Sequence, residues 1–204
     1  MSPEFIAALL SGQRAEAEAI AGLELPADWP ADDERFLRLR QRQIQADPSI
    51  QPWLMRAMVL RGPDRAFVGH IGFHGRPNDN GAAELGYTVF PKFRRRGYAT
   101  EATQGLMDWA LRQHRVGRFL VSISPDNDPS LAMAVKLGFR QIGEQMDEED
   151  GLELVHELVL DYALRCLSPV RRPSCRPNTA SMTRCGCSRC GGQAERTGSS
   201  DRRR

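Results

Sequence analysis

The chain has 204 residues, of which 41% are hydrophobic and 26% charged, and a formal net charge of +2. This composition is ordinary for a globular protein with one full core, and no apolar run approaches the roughly 20 residues that a membrane helix needs. Residues 168–204 hold nine arginines against two acidic residues, a balance of +7, which leaves −5 for residues 1–167. An acidic body argues against nucleic-acid binding. The first 20 residues lack the basic segment of a secretory signal, so the cytoplasm is expected.

Residues 1–47 are predicted to be mostly helical. The stretch "PADDERFLRLRQRQIQAD" places acidic residues in a first turn. Apolar or long side chains follow it at helical spacing, at Phe36, Leu37, Arg40 and Ile44. Three strands are then predicted in "LMRAMVLR", "AFVGHIGF" and "AELGYTVF", because each is rich in β-formers and turn residues separate them.

The second half of the body alternates between helices and strands. "ATEATQGLMDWALRQH" predicts a helix, "RFLVSISP" a strand, and "NDPSLAMAVKLGF" a helix with Asp128 as N-cap, Pro129 at the first helical position and Gly138 just after its end. "FRQIGEQ" and "LELVHELVL" predict two final strands. This order indicates an α/β protein with a mixed sheet covered by helices.

The composition changes at Ser168. Residues 168–204 contain no Leu, Ile, Phe, Trp or Tyr, so they cannot bury enough apolar surface to offset the entropy of ordering. We expect one domain over residues 1–167 and a disordered Arg- and Cys-rich tail over residues 168–204. Four cysteines of the tail could in principle bind zinc: Cys175, Cys185, Cys187 and Cys190. They do not form two C-x-x-C pairs and no histidine lies nearby, so no metal site is predicted.

The segment most informative about function is "PKFRRRGYAT", residues 91–100. It joins the third strand to the next helix, and the small residues Gly97 and Ala99 let a ligand approach the backbone. The N–H groups at a helix start carry the positive end of the helix dipole, which suits a pyrophosphate, and arginines can add charge-assisted contacts. The spacing is neither that of a Walker loop nor the G-x-G-x-x-G of dinucleotide folds.

This region resembles the signature of the GNAT superfamily of N-acetyltransferases. The likeness rests on "ELGYTVFPKFRRRGYATEATQGLMDWA" followed by "SPDNDPSLAMAVKLGF", and it is nearest to the Rim-type branch of ribosomal-protein N-terminal acetyltransferases. It spans about residues 54–160. The resemblance implies the acyl-CoA N-acyltransferase fold, in which helices flank a twisted, mixed and mostly antiparallel sheet. Family members usually carry a strand before the first helix, so we expect that strand to be missing here.

The resemblance implies direct transfer of an acetyl group from acetyl-CoA, a co-substrate, to a primary amine, without a metal. Arg94-x-x-Gly97-x-Ala99 matches the family's pyrophosphate loop, and Asn127 with Ser130 matches its second cofactor segment. The end of the third strand is implied to pair with the pantetheine arm and to polarise the thioester carbonyl through a main-chain N–H. The residues predicted to bind acetyl-CoA are Val89, Phe90, Arg94, Arg95, Arg96, Gly97, Tyr98, Ala99, Thr100, Asn127 and Ser130.

Glu84 is the predicted base. An amine with a pKa of about 10 is protonated at pH 7 and must lose a proton before it attacks. Glu84 lies in "ELGY", where family members often place the catalytic carboxylate. A solvated or salt-bridged strand glutamate is the structural alternative, and His70 and His74 of "HIGFH" are alternative bases on one face of a strand.

Ser130 is predicted to reprotonate the departing CoA thiolate or to bond the co-substrate. Many family members have a tyrosine for this role, whereas this chain has Phe139 near the second segment, so the general acid stays open. The expected acceptor is a peptide or protein N-terminus or a small-molecule amine. The protein is expected to be a monomer or homodimer that binds neither nucleic acid nor membrane. The alternative function is a non-catalytic acyl-CoA-binding regulatory domain.

Overall fold

The structure, a computed structural model, describes residues 1–62, 65–148 and 151–161. The α-helices within these ranges are α1 (Pro3–Leu10), α2 (Arg14–Ala21), α3 (Glu34–Ala46), α4 (Tyr98–His114) and α5 (Asp128–Leu137). The strands are β1 (Arg56–Val59), β2 (Phe67–Phe73), β3 (Ala82–Val89), β4 (Arg118–Ile123), β5 (Arg140–Asp147) and β6 (Gly151–Val159). The predicted order of elements is confirmed. The predicted tail lies outside the described residues.

The strands form one mixed sheet in the order β1-β2-β3-β4-β6-β5. Neighbouring strands are antiparallel except β3 and β4, which run parallel. The parallel pair arises because α4 carries the chain from the end of β3 back to the start of β4. The mixed, mostly antiparallel sheet expected from the resemblance is therefore confirmed.

The position of the candidate site follows from β3, because its hydrogen-bonded ladder with β2 is longer than its ladder with β4. Its ladder with β2 extends to Val89, which pairs with Gly69. Its ladder with β4 ends at Glu84, which pairs with Leu120. Beyond Glu84 the parallel strands separate, and a gap opens beside the C-terminal half of β3.

Helices cover both faces of the sheet. On one face α4 and α5 pack on a core that includes Phe73, Met107 and Phe119. On the other face α1 and α3 contribute to a second core. The helical spacing predicted the buried side of α3, since Leu37, Arg40 and Ile44 are each at most 5% exposed. None of the helices in the described ranges is long and apolar enough to cross a membrane.

Local signals set the ends of α5, with one correction. Gly138 ends the helix in a left-handed conformation, with φ 92°, as its position predicted. The N-cap, however, is Asn127, whose side-chain oxygen accepts a hydrogen bond from the N–H of Ser130 at 3.3 Å. Asp128 is the first helical residue, so its prediction as N-cap was wrong. The Asn127 oxygen already has this bond, which orients the start of α5.

Candidate active site

The gap between β3 and β4 forms a cavity of about 380 Å³, called the β3–β4 cleft below. Its walls come from β3, β4, α4 and α5 and include Tyr87, Thr103, Ser122, Asn127 and Ser130. Successive strand residues point to opposite faces of a sheet, so neighbours such as Tyr87 and Gly86 in this wall belong to both faces. The cleft therefore opens through the sheet.

The main chain of β3 turns polar groups toward this cleft. The N–H of Phe90 donates to the carbonyl of Val68 at 3.0 Å, on the β2 side. In an antiparallel ladder the direction of these groups alternates from residue to residue. The N–H groups of Tyr87 and Val89 consequently point away from β2, toward the cleft.

Phe90 does not occupy the predicted position against acetyl-CoA. Its N–H is bonded to Val68, and its side chain is 8% exposed and packs on Trp29 and Phe67 in the second core. A shift of one residue along a strand reverses both the side chain and the main-chain groups. The main-chain N–H of Val89, and not that of Phe90, therefore points away from β2.

The predicted pyrophosphate loop has the geometry of an anion site. Gly97 is the N-cap of α4 with φ 85°, and no side chain in the described ranges caps this helix start. The N–H of Glu101 donates to the carbonyl of Gly97 at 3.0 Å and closes the first turn. The N–H groups of Tyr98, Ala99 and Thr100 precede this bond, so they have no acceptor within the helix and point out of its end.

Glycine at position 97 is required by conformation and not by space. A Cβ atom added to Gly97 would meet nothing within 4 Å, but its positive φ is strained for other residues. Arg94 donates from Nε to the carbonyl of Val89 at 3.0 Å, which ties the loop to the cleft end of β3. Arg95 and Arg96 are exposed beside the helix start. The three arginines thus divide into one that holds the loop and two that can approach an anion.

Glu84 lies where β3 and β4 begin to separate. Its Oε1 accepts a hydrogen bond from Ser122 Oγ at 2.6 Å, and Ser122 in turn accepts from Gln145 Nε2 at 3.1 Å. His74 Nδ1 lies 3.7 Å from the same Oε1, beyond hydrogen-bond distance. Partial desolvation lowers the pKa of His74 below its usual value although the Glu84 charge opposes this, and the side chain is still 52% exposed. A carboxylate and an imidazole, both able to take a proton, lie side by side.

A second cavity of about 220 Å³, called the α3 cavity below, lies on the sheet face that α3 covers. Its walls include Asp33, Phe36, Arg40, His70 and His74. His70 is 5% exposed, and its Nε2 lies 3.0 Å from Asp33 Oδ2, which also accepts from Trp29 Nε1 at 2.5 Å. The ring of Phe36 stacks on that of His70 with centroids 5.1 Å apart. His70 is therefore fixed against Asp33, whereas His74 is the histidine beside Glu84.

The two cavities meet at β3. Gly86 and Tyr87 line both of them. Glu84, at the branching point of the strands, has Ser122 of the β3–β4 cleft on one side and His74 of the α3 cavity on the other. Glu84 itself lines neither cavity, but its carboxylate contacts one wall residue of the first and lies beside one of the second.

Hydroxyl groups make the cleft suitable for the pantetheine arm. Tyr87 donates from its hydroxyl to Ser130 Oγ at 2.8 Å, and burial raises the pKa of Tyr87, so it keeps its proton. The hydrogen of Ser130 is then left for another acceptor. Thr103 is fully buried, and its Oγ1 has no hydrogen-bond partner in the part of the chain that the structure describes. An orphan buried hydroxyl implies an absent partner. Together with the start of α4, these groups fit pantetheine amides and a pyrophosphate.

Sequence reasoning missed Tyr87, Thr103 and Ser122. Tyr87 stands inside the quoted "ELGY", but its contact with Ser130 joins residues 43 positions apart. Thr103 reads as an ordinary helix residue, and Ser122 as the polar position of a short strand. No local signal could have found these residues, because their roles depend on which elements become neighbours.

Comparison with known proteins identifies the family to which the chain belongs. A profile of the acetyltransferase (GNAT) domain matches residues 6–140. The chain belongs to the GNAT acetyltransferase family. The uncharacterized N-acetyltransferase YjdG of Bacillus subtilis is 31% identical over 122 residues, which cover 58% of this chain and 70% of YjdG. The uncharacterized N-acetyltransferase p20 of Bacillus licheniformis is 28% identical over 107 residues, 52% of this chain and 60% of p20. Two further Bacillus subtilis relatives are matched over about half of their length.

A solved structure supports the fold. The ribosomal L7/L12 alpha-N-protein acetyltransferase RimL, solved in complex with coenzyme A, superposes with a TM-score of 0.54. The alignment covers 79% of this chain and 92% of RimL at 19% sequence identity. The GNAT fold predicted from the sequence motifs is therefore confirmed, with six strands in the described sheet.

Proposed function

We propose that this chain transfers the acetyl group of acetyl-CoA directly to a primary amine. The observation that carries the proposal is the opening of the sheet between β3 and β4, with Glu84 at the branching point and a cavity on either side. Acetyl-CoA fits the β3–β4 cleft with its pyrophosphate at the start of α4, and the amine fits the α3 cavity. Attack then takes place beside Glu84, without a covalent acyl-enzyme.

Acetyl-CoA supplies the acetyl group as an activated thioester. The N–H of Val89, turned toward the cleft, is suited to donate to the thioester oxygen as negative charge develops on it. The three N–H groups at the start of α4, with Arg95 and Arg96, hold the pyrophosphate. The family motif carries these assignments, and the helix and strand geometry supports them.

Glu84 is the group that we assign to proton removal from the amine. Its carboxylate is held by Ser122, which fixes the direction of one oxygen and leaves the second to face the acceptor. His74, whose Nδ1 lies 3.7 Å from the Glu84 carboxylate, is close enough to receive a proton through one water molecule. His70 serves as a wall of the acceptor cavity, because its Nε2 is held by Asp33.

Ser130 is assigned to the departing sulfur. Both hydroxyl groups of the Tyr87–Ser130 pair are weaker acids than a thiol of pKa about 8.5. The pair therefore stabilises the thiolate by hydrogen bonding, and the thiolate takes its final proton from water. Tyr87 strengthens the Ser130 bond because a hydroxyl that accepts a hydrogen bond becomes a better donor.

The acceptor class stays at the level of a primary amine. RimL is named for acetylating the N-terminus of a ribosomal protein, and another solved neighbour, MccE, is a microcin C7 self-immunity acetyltransferase seen with acetyl-CoA and AMP. The candidates for this chain are accordingly a peptide or protein N-terminus and a small-molecule amine. We retain the predictions of a cytoplasmic monomer or homodimer that uses no metal.

Thiol release from acetyl-CoA tests the proposal. The purified chain is incubated with acetyl-CoA and a panel of amines, including peptides with free and blocked N-termini, polyamines and amino acids. We expect release of CoA that depends on a free amine and an acetylated product of matching mass. Tight acetyl-CoA binding with no release for any amine would instead support the non-catalytic regulatory domain.

A further inference from the structure

The α3 cavity contains a buried cation that has no anionic partner within the part of the chain that the structure describes. Arg40 is 5% exposed and lines the cavity. Its Nη1 donates to Gln43 Oε1 at 2.8 Å and to the carbonyl oxygen of His74 at 3.1 Å, both of them neutral acceptors. Its Nε hydrogen has no acceptor among the described residues. Arg40 is thus held in place, but its charge is not paired.

Burying a guanidinium group without an anionic partner lowers the stability of a folded protein. Burial lowers the pKa of Arg40 to about 10, so the group keeps its charge at pH 7. The ring of Phe36, 4.6 Å from Cζ, offsets part of the cost through its π face. The other charged group of this cavity, Asp33, is already bonded to His70 and Trp29. The remaining positive charge therefore faces a cavity in which an anion would be stabilised.

Arg40 and Glu84 lie on two sides of one residue. Arg40 bonds the main-chain oxygen of His74, whereas the ring of His74 lies 3.7 Å from the Glu84 carboxylate. A cation in the cavity wall and a carboxylate just outside it thus lie on either side of His74. This arrangement is complementary to a ligand that carries a negative and a positive group close together.

We propose that the α3 cavity binds an α-amino acid as the acetyl acceptor, with its carboxylate on Arg40 and its amine beside Glu84. The two groups of such a ligand are attached to one carbon atom. Arg40 is the specificity-determining residue, since its guanidinium charge in the cavity wall attracts a carboxylate. The cavity of about 220 Å³ holds roughly seven water volumes, enough for a medium side chain, and Phe36 and Met55 in its wall favour an apolar one. This inference rests on the proposed acetyl transfer.

A set of matched acceptors tests it: leucine, leucinamide and isoamylamine, which share a side chain and differ at the carboxylate. Thiol release gives kcat/KM for each acceptor with the wild-type chain and with Arg40→Met. We expect the preference for leucine over isoamylamine to fall about 10- to 100-fold in Arg40→Met, as for loss of a charge-assisted contact. Each variant is described by the ratio of its kcat/KM for leucine to its kcat/KM for isoamylamine. The different pKa values of the two amines affect this ratio equally in every variant. Arg38→Met, an exposed arginine of the same helix paired with Glu34, is the control and should keep the wild-type ratio.

Each remaining outcome has a defined meaning. Equal use of all three acceptors by the wild-type chain, or a preference for a peptide N-terminus over free leucine, overturns the amino-acid proposal and leaves acetyl transfer intact. No turnover with any amine contradicts the proposed function itself. If Arg40→Met does not fold, as judged by its unfolding midpoint and coenzyme A affinity, Arg40→Lys keeps the charge without the planar guanidinium. Arg40→Lys should then retain part of the preference for leucine, and an unchanged preference would overturn the proposal.

Discussion

The two cavities on either side of β3 are built in different ways. The β3–β4 cleft is made by contiguous motifs: "ELGY" supplies one wall, "RRRGYA" the helix start, and "NDPS" the wall from α5. The α3 cavity draws Asp33 and Arg40 from the first third of the chain and His70 and His74 from the neighbouring strand. In our proposal the first binds acetyl-CoA, a ligand common to a large family, and the second binds the acceptor. Main-chain groups dominate the first, whereas individual side chains define the second.

Specificity for the co-substrate and specificity for the acceptor therefore reside in different kinds of site. A main-chain site depends on glycine, helix ends and strand divergence, which a short motif encodes. A side-chain site depends on which elements lie over one another, so it can change by single substitutions without loss of the fold. Variants in the two regions should therefore produce separable effects.

The largest expected effect is at the carboxylate shared by the two regions. Glu84→Gln should lower kcat about 100-fold or more near pH 7, because general base catalysis typically contributes at least this factor. The dissociation constant for acetyl-CoA, measured by calorimetry, should stay unchanged. Glu144→Gln, an exposed position on β5, is the matched control. A Glu84→Gln variant with wild-type kcat would transfer the base role to His74.

The next effect tests whether the backbone or the arginines hold the pyrophosphate. Gly97→Ala should raise the KM for acetyl-CoA about 10-fold, since a left-handed φ costs a residue with a Cβ atom about 1–2 kcal/mol. Arg95→Gln should raise it only about 2- to 3-fold, with a dependence on salt concentration. Gly105→Ala within α4 meets nothing within 4 Å and serves as the control. A larger effect for Arg95→Gln than for Gly97→Ala would contradict main-chain binding.

A smaller effect is expected for the hydroxyl pair of the β3–β4 cleft. Ser130→Ala should lower kcat about 10-fold, and Tyr87→Phe about 3- to 5-fold, as for loss of single hydrogen bonds. If Tyr87 acts through Ser130, adding Tyr87→Phe to Ser130→Ala should have no further effect on kcat. Stopped-flow measurement of thiol release gives all four rates. Additive effects would show that Tyr87 acts independently of Ser130.

The smallest effect concerns the stability of the α3 cavity. Burial alone would raise the pKa of Asp33, but the hydrogen bonds and charge of His70 and the bond from Trp29 bring it below its usual value. The ionised form is therefore the one stabilised by folding, and this contribution is present above the unfolded pKa of about 4 and lost as pH falls through the folded value. Asp33→Asn should lower the free energy of unfolding by about 1 kcal/mol at pH 7.

Urea titrations at several pH values check this sign. The difference between the wild-type chain and Asp33→Asn should shrink as the pH falls below 4. A difference that stays constant over this range would mean that the Asp33 charge plays no part in stability. If Asp33→Asn still binds acetyl-CoA and releases thiol, the substitution leaves the β3–β4 cleft unaffected.

Particular residues show what could be read from the sequence. The succession of strands and helices, the buried side of α3 and the glycine that starts α4 follow from local periodicity and turn chemistry. Phe90 and Asp128 were assigned one position away from their structural roles, because a single step reverses a strand residue and moves a helix cap. The contacts of Tyr87 with Ser130 and of Arg40 with His74 join distant segments, and no local pattern encodes them.

The fold class and the family could be predicted from the sequence, as could the loop that we propose for acetyl-CoA, because these depend on short segments whose backbone conformation is set by glycine, proline and hydrophobic alternation. The other features of the site depend on tertiary contacts. The separation of β3 from β4 after Glu84, the choice of His74 over His70 as its neighbour, and the unpaired charge of Arg40 all arise when elements far apart in sequence pack together. The sequence therefore indicates the family, and we propose that the packing of α3 on the sheet governs which amine can reach the site.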